Sequence, residues 1–230
     1  MTAQAMLSVQ SVSSRFGGGL KLNDVSLTVA RGQLVSILGA NGAGKSTLLG
    51  VISGQYAPST GRVVIDGQDI TGQPAHRVVR AGIALAPQNH PIFDSLSVDE
   101  NLALGVTPAD AAIFEMFPNL QAKRGQRAGR LSGGERQMLS MAQALLTKPK
   151  LCMFDEPSSG LAPLIVHQVF TAIRRLADSG TTVLMVEQNA RAALELADHA
   201  YVMEQGRIVL EGPARQISAN DHVRRAYLGL

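Results

Sequence analysis

The stretch LVSILGANGAGKST, residues 34 to 47, begins with four apolar residues and one serine and continues into a turn that contains three glycines. A short apolar run bounded by turn residues is typical of a buried strand, and the residues from Lys45 onward are typical of a helix. A loop with the spacing G-x-x-x-x-G-K-[ST] between a strand and a helix is the pattern of a phosphate-binding loop. The stretch therefore predicts a strand–loop–helix unit that holds a polyphosphate.

The residue types of this loop have specific roles in such a site. Glycines let consecutive backbone N–H groups face phosphate oxygens, and the helix N-terminus adds its positive end. Lys45 would reach the β- and γ-phosphates, and the Ser46 hydroxyl would bind Mg²⁺. A chance glycine turn is the alternative, but the flanking strand and helix patterns argue against it. The predicted nucleotide-binding residues here are Gly39, Asn41, Gly42, Ala43, Gly44, Lys45, Ser46 and Thr47.

A second apolar run, LCMFDE at residues 151 to 156, ends in two carboxylates. Asp155 would complete the Mg²⁺ shell, and Glu156, one residue farther, would polarise a water molecule for attack on the γ-phosphate. The alternative is an acidic pair that only caps the following loop. The phosphate-binding loop upstream favours the catalytic interpretation.

Gln88 ends the stretch IALAPQ, where a predicted strand meets a loop. Its amide can both donate and accept a hydrogen bond. Gln88 could therefore bind Mg²⁺ or position the attacking water. An ordinary exposed loop glutamine is the alternative.

The segment LSGGERQ, residues 131 to 137, predicts a helix start, because Ser132 and Glu135 have the spacing of a capping box. Gly133 and Gly134 are unexpected, because glycine in a helix costs about 1 kcal/mol relative to alanine. A glycine-flanked helix start is an anion site, and the chain already has one. We therefore predict that this turn contacts the γ-phosphate of a nucleotide bound by another copy.

The remaining pattern predicts an α/β fold. Two alternating strands surround Phe16 near the start, and after residue 131 strands and helices alternate, which predicts a mostly parallel sheet covered on both faces. Residues 89 to about 130 contain short helical patterns broken by prolines and predict a small helical subdomain.

Composition limits the class of protein. The 230 residues are 45% apolar and fit one large domain, and a single cysteine suits a reducing compartment. No apolar run reaches the roughly 18 residues of a membrane span, and the first ten residues lack a signal-peptide pattern. The basic cluster at 123 to 130 has no aromatics for base stacking, so no nucleic-acid partner is expected. We expect a cytoplasmic protein, peripheral on the inner face of the cell membrane.

Together these motifs resemble the ABC ATPases over essentially the full chain. The phosphate-binding loop, Gln88, the LSGGE segment and the apolar-DE segment occur in the order of that family. The resemblance implies one domain, residues 1–230, with a helical subdomain at about 89–132 inserted in a RecA-like core and an antiparallel β-subdomain. It also implies that Phe16 stacks on adenine, although one more core aromatic is an equally good interpretation.

The resemblance implies how the sites work. Two subunits would pair head to tail and enclose two ATP molecules, each held by the phosphate-binding loop of one subunit and by Ser132, Gly133 and Gly134 of the other. ATP closes the pair and hydrolysis releases it. The implied partners are integral-membrane permease subunits, a second copy or a sister ATPase, and indirectly an extracytoplasmic solute-binding protein.

Two departures from the family pattern indicate which group of ABC ATPases the chain resembles. Ala162 stands where the family usually has aspartate, and Gln188 stands where it has a histidine; Gln188 can still contact the γ-phosphate. With the ending HVRRAYLGL, these features are similar to the second ATPase subunit of branched-chain amino acid, urea and short-chain amide importers. An importer ATPase is therefore predicted. The alternatives are a lipopolysaccharide-type exporter ATPase, a soluble ABC-type ATPase acting on nucleic acid, and a module that binds ATP without cleaving it.

Overall fold

The structure is a computed structural model that describes residues 5–16, 19–88, 92–104 and 111–229, without the side chains of Phe16 and Leu20. Within these residues the strands form two sheets. The larger sheet has the order β10-β9-β3-β8-β7-β6, with parallel pairing except between β9 and β10. Its strands are β3 (Leu34–Leu38), β6 (Ile83–Ala86), β7 (Leu151–Asp155), β8 (Thr182–Glu187), β9 (His199–Glu204) and β10 (Arg207–Pro213).

Every residue of β3, β7 and β8 is buried, because the large sheet is covered on both faces. Successive side chains of a strand point to opposite faces, and they enter two separate apolar clusters here. In β7, Cys152 and Phe154 lie in one cluster, whereas Leu151 and Met153 lie in the other. The predicted mostly parallel, doubly covered sheet is confirmed.

One face of the large sheet is covered by the smaller, antiparallel sheet and by helix α1 (Lys45–Ile52). The antiparallel β-subdomain that the resemblance implies is confirmed: its first two strands pair antiparallel, and the turn at Asp66-Gly67 has a positive φ at both residues. The antiparallel sheet has the order β2-β1-β4-β5, with β1 (Ala5–Phe16), β2 (Gly19–Ala30), β4 (Thr60–Ile65) and β5 (Gln68–Asp69). Helix α2 (Ala75–Arg80) also packs on this side through Val78.

The other face is covered by helices. Short helices occupy the region for which a helical subdomain is predicted, and they share the apolar cluster of the long helices. The short ones are α3 (Val98–Ala103), α4 (Ala111–Met116), α5 (Pro118–Gln121) and the 3₁₀ turn Ala128–Arg130. The remaining helices are α6 (Gly133–Leu145), α7 (Pro163–Asp178), α8 (Ala190–Leu196), α9 (Ala214–Ala219) and α10 (Asp221–Val223), which continues as a π-helical turn to Leu228.

Parallel strands bring their carboxyl ends to one edge of the sheet, and that edge positions the predicted site. The phosphate-binding loop follows β3, the acidic pair ends β7, and Gln188 follows β8. Because β7, β8 and β3 are neighbours, the three segments meet. Among the described helices, none is both long and apolar enough to cross a lipid bilayer.

Candidate active site

The loop between β3 and α1 depends on its glycines. Gly42 and Gly44 have φ angles of 81° and 111°, a region that side chains other than glycine rarely adopt. A Cβ atom on Gly39 would lie 2.5 Å from the backbone oxygen of Met203 in the adjacent strand β9. The loop therefore takes this path only with glycine at these positions.

Helix α1 begins directly after this loop, and its first turn has free N–H groups. Its N-cap residue is Gly44, which has no side chain to accept from them, and the N–H of Leu48 bonds to the Gly44 oxygen. The unpaired N–H groups of a first turn, together with the helix dipole, form an anion site. This arrangement supports a phosphate-binding role for the loop.

Lys45 is nearly enclosed, with 4% of its side chain exposed. Its Nζ donates to the backbone oxygens of Gly39 at 2.8 Å and Ala40 at 3.2 Å, and lies 3.0 Å from Oε1 of Glu156. A buried charge is tolerated when it is paired in this way. The ammonium group that the sequence assigns to phosphate is therefore held by Glu156 and two carbonyl groups.

Asp155 and Ser46 lie side by side, because the Ser46 hydroxyl donates to Oδ1 of Asp155 at 3.0 Å. Burial raises the pKa of Asp155 and the charge of Glu156 adds to this, whereas Ser46 and Lys45 act in the opposite direction. No group of three or more His, Cys, Asp or Glu side chains in the described ranges could hold a metal ion. One hydroxyl and one carboxylate fit Mg²⁺, which commonly uses few protein ligands and takes the rest from phosphates and water.

Gln88 and Gln188, which follow β6 and β8, line the same cleft. Nε2 of Gln88 donates to Oε2 of Glu156 and to the hydroxyl of Ser159, each at 3.3 Å. The cleft has a volume of about 380 Å³. It is lined by Lys21, Asn41, Gly42, Gly44, Lys45, Ser46, Thr47, Gln88, Glu156, Ser159 and Gln188.

Most of the predicted site residues therefore converge on one cleft. Gly39 and Ala43 belong to the phosphate-binding loop but do not line the cleft. Ala43 is part of an apolar cluster. The Phe16 side chain lies outside the described residues. Ser132, Gly133 and Gly134 do not line this cleft.

Lys21, an exposed residue of β2, also lines the cleft and was not predicted from the sequence. No motif marks it, because its place depends on β2 passing over the loop: the Lys21 backbone oxygen lies 2.9 Å from a Cβ built on Gly44. The only sequence feature that could have pointed to Lys21 is its place near the start of the second alternating strand.

Replacing Lys21 with methionine should weaken ATP binding about three- to fivefold, because an exposed cation beside a polyphosphate contributes a modest, salt-screened attraction. Titration with a fluorescent ATP analogue at two salt concentrations measures this. The exposed Lys148, in the segment before β7, supplies the matched control Lys148→Met. Equal affinities of the two variants at low salt would contradict a role of Lys21 in the cleft.

The glycines of the LSGGE segment differ in their surroundings. Ser132 caps α6 through the predicted capping box with Glu135. Gly134 is buried, and a Cβ on it would lie 2.1 Å from Cγ2 of Ile165 in α7. Gly133 is exposed, and a Cβ on it would meet only Cδ2 of Leu161, at 3.8 Å. The close approach at Gly134 thus comes from within the chain, and Gly133 is the position that remains open.

The comparisons with known proteins agree with this geometry. Residues 22–159 match the family model described as ABC transporter. The chain belongs to the ABC transporter family. As a member of this family it is an ATP-hydrolysing transporter subunit that works with membrane permease chains, and the predicted family and fold class are confirmed.

Relatives of this ABC ATPase match it from end to end. It is 45% identical to the high-affinity branched-chain amino acid transport ATP-binding protein BraG of Pseudomonas aeruginosa, over 97% of this chain and 100% of BraG. It is 35% identical to the lipopolysaccharide export system ATP-binding protein LptB of Escherichia coli K12, over 98% of each chain. A nucleotide-free ATP-binding cassette of an ABC transporter superimposes with a TM-score of 0.87 at 29% identity, covering 99% of this chain and 100% of that one.

Proposed function

We propose that this ABC ATPase powers the uptake of branched-chain amino acids or related small polar solutes such as amides and urea. The 45% identity to BraG over 97% of this chain and 100% of BraG carries this proposal. The similarity to LptB is lower, at 35%, so a lipopolysaccharide-type exporter is less supported. The alternative of an ATPase acting on nucleic acid has no support in these relatives.

We propose the following roles in the cleft. Backbone N–H groups from Gly39 to Thr47 and the Lys45 ammonium bind the β- and γ-phosphates. Ser46, Asp155 and Gln88 would hold Mg²⁺, which would supply charge neutralisation on the phosphate oxygens when bound. Lys45 and Asp155 are both buried, so salt screens their charges only weakly.

Glu156 is the proposed general base. It is positioned by Lys45 and Gln88, and it takes a proton from the water that attacks the γ-phosphate. Gln188, exposed at the end of β8, contacts the γ-phosphate through its amide. An amide cannot accept a proton under these conditions, so the base role falls on Glu156.

The second half of each ATP site comes from another subunit in this proposal. Ser132 and Gly133 are exposed, and neither lines the cleft of its own chain. Each would face the γ-phosphate held by the partner, either a second copy or a sister ATPase. Residues 1–230 would form one domain, and the helical subdomain at about 89–132 would carry this turn.

Gly133→Ala and Gly134→Ala form a matched pair that separates packing within the chain from contact with the partner. Gly133→Ala should keep the melting temperature, because nothing but Leu161 lies within 4 Å, yet lower kcat about tenfold or more by obstructing the phosphate. Gly134→Ala should lower the melting temperature, because its Cβ overlaps Ile165. Thermal unfolding and phosphate release on the same samples measure both effects.

Two outcomes would contradict these assignments. Unchanged turnover of Gly133→Ala would contradict the contribution of this turn to the partner's site. A Gly134→Ala variant that Ile165→Ala does not restabilise would contradict the overlap, since Ile165→Ala removes the atom at 2.1 Å.

Reconstitution tests the transport proposal directly. The chain is co-produced with candidate permease and sister ATPase subunits from the same organism, inserted in liposomes, and supplied with a candidate solute-binding protein. Leucine and isoleucine should stimulate ATP hydrolysis and accumulate with the binding protein. Stimulation by lipopolysaccharide, or co-purification with nucleic acid instead of membrane subunits, would contradict the proposal.

A further inference from the structure

Glu187, the last residue of β8, has a carboxylate that the roles above do not use. It is 1% exposed, and no ion pair to it occurs in the described part of the chain. Burial raises its pKa, hydrogen bonds from Ser158 and Asn189 oppose this, and the charge of Glu156 adds to the increase. A carboxylate buried without a cation must be compensated by hydrogen bonds.

That compensation comes from two different loops. Oε1 accepts from the Ser158 backbone N–H at 2.9 Å, and Oε2 accepts from the Ser158 hydroxyl at 3.0 Å. Oε2 also accepts from the backbone N–H groups of Gln188 at 3.1 Å and Asn189 at 3.3 Å. One side chain therefore connects the loop after β7 to the loop after β8.

Both loops carry residues of the proposed chemistry. Ser158 follows the general base Glu156 by two positions, and Gln188 is the proposed γ-phosphate contact. Glu156 itself has a φ of 47°, an unfavourable conformation for a residue with a side chain. Its backbone is held by hydrogen bonds from Glu156 N to Val186 O and from Ser159 N to Glu156 O, each 3.0 Å. Surrounding contacts must maintain such a conformation.

Helix capping does not account for this arrangement. The N-cap of α8 is Asn189, whose own side chain accepts from the N–H of Ala192. Half of the Glu187 hydrogen bonds go to Ser158, which belongs to no helix. A carboxylate that only began α8 would have no need to bind Ser158.

We propose that Glu187 is a positioning residue for ATP hydrolysis: its carboxylate locks the loop after β7 to the loop after β8, so that Glu156 and Gln188 keep one relative placement in the cleft. This inference rests on the proposed roles of Glu156 and Gln188. Small displacements of reacting groups cost up to about 100-fold in rate, so loosening this connection should lower turnover more than substrate binding.

The experiment compares Glu187→Gln with Thr182→Val in the full-length chain. Thr182 lies at the other end of β8, is 1% exposed, and its hydroxyl accepts from the Gly32 N–H at 3.0 Å. Thr182→Val thus removes a buried acceptor from the same strand, far from the cleft. Both variants should have lower melting temperatures. Each variant is therefore assayed at the same number of degrees below its own melting temperature.

Glu187→Gln should lower kcat for ATP hydrolysis about 10- to 100-fold and change the KM for ATP by no more than about threefold. Thr182→Val should keep kcat within about twofold of the unsubstituted chain. Ser158→Ala removes only the hydroxyl and should lower kcat by less than Glu187→Gln does. If Glu187→Gln fails to fold, Ser158→Ala is the variant that tests the inference.

The possible outcomes separate this inference from the function on which it rests. If the unsubstituted chain hydrolyses ATP and Glu187→Gln loses no more kcat than Thr182→Val, Glu187 only stabilises the fold and the inference is overturned. If Glu187→Gln cannot be produced folded, a Ser158→Ala variant with unchanged kcat overturns it. If the unsubstituted chain binds ATP without hydrolysing it, the proposed function fails first.

Discussion

Replacing Glu156 with glutamine should leave ATP binding within about threefold and lower kcat at least about 100-fold, in line with the loss of a general base. Glutamine keeps the shape of the side chain and an oxygen that Lys45 Nζ, now 3.0 Å from Oε1, can still contact. What it loses is the ability to take a proton from the attacking water. Phosphate release at saturating MgATP measures the rate, and a fluorescent ATP analogue measures affinity.

The same variant should accumulate as a closed pair of subunits, because ATP binds but is not removed. Size-exclusion chromatography with MgATP, alone and with the sister ATPase, detects it. Glu195→Gln is the control, since Glu195 is an exposed glutamate on α8 whose one ion pair among the described residues is with Arg191, at 3.5 Å. Normal hydrolysis by Glu156→Gln would contradict the base assignment.

Replacing Lys45 with methionine should lower ATP affinity at least about 100-fold. Methionine matches the length of the side chain but provides no donor or charge for phosphate, and charge-assisted hydrogen bonds in a nearly enclosed site are strong. The substitution also leaves Glu156 and two backbone oxygens without their donor. Breaking a buried charge pair in this way commonly costs about 3 to 5 kcal/mol, so the melting temperature should fall as well.

A double substitution distinguishes the two consequences of losing Lys45. Lys45→Met with Glu156→Gln removes the uncompensated charge, so it should recover part of the melting temperature without recovering ATP affinity. Lys150→Met is the control, because Lys150 is half exposed and pairs with Asp66 at the surface. Near-normal ATP affinity of Lys45→Met would exclude this lysine from phosphate binding.

The strands of the large sheet were predictable because their signals are local. Residues 34–38 form β3 as the sequence pattern indicates, and the runs at 83–86 and 151–155 form β6 and β7 of the same sheet. Strands buried on both faces are predominantly apolar, with Ser36 the exception within β3, and that composition is visible in the sequence. The loop after β3 was predictable for the same reason, because only glycine suits the backbone at Gly42 and Gly44.

The environments of single residues were less predictable. Gly133 and Gly134 are adjacent and identical in the sequence, yet only Gly134 faces Ile165 of α7. A strand-end Glu187 suggests a simple cap, whereas the structure places it between two loops. Lys21 carries no motif, although it lines the cleft. Each depends on contacts with segments far away along the chain.

The sequence by itself determined the order of strands and helices, the phosphate-binding loop and the identity of the acidic pair, because these follow from apolar periodicity, glycine conformation and motif spacing within a few residues. Only the tertiary structure decided which groups touch: Lys45 with Glu156, Ser46 with Asp155 and Glu187 with Ser158. The physical reason is that such pairs form between strand ends brought together by the packing of a whole sheet, and short-range sequence patterns do not specify those distances.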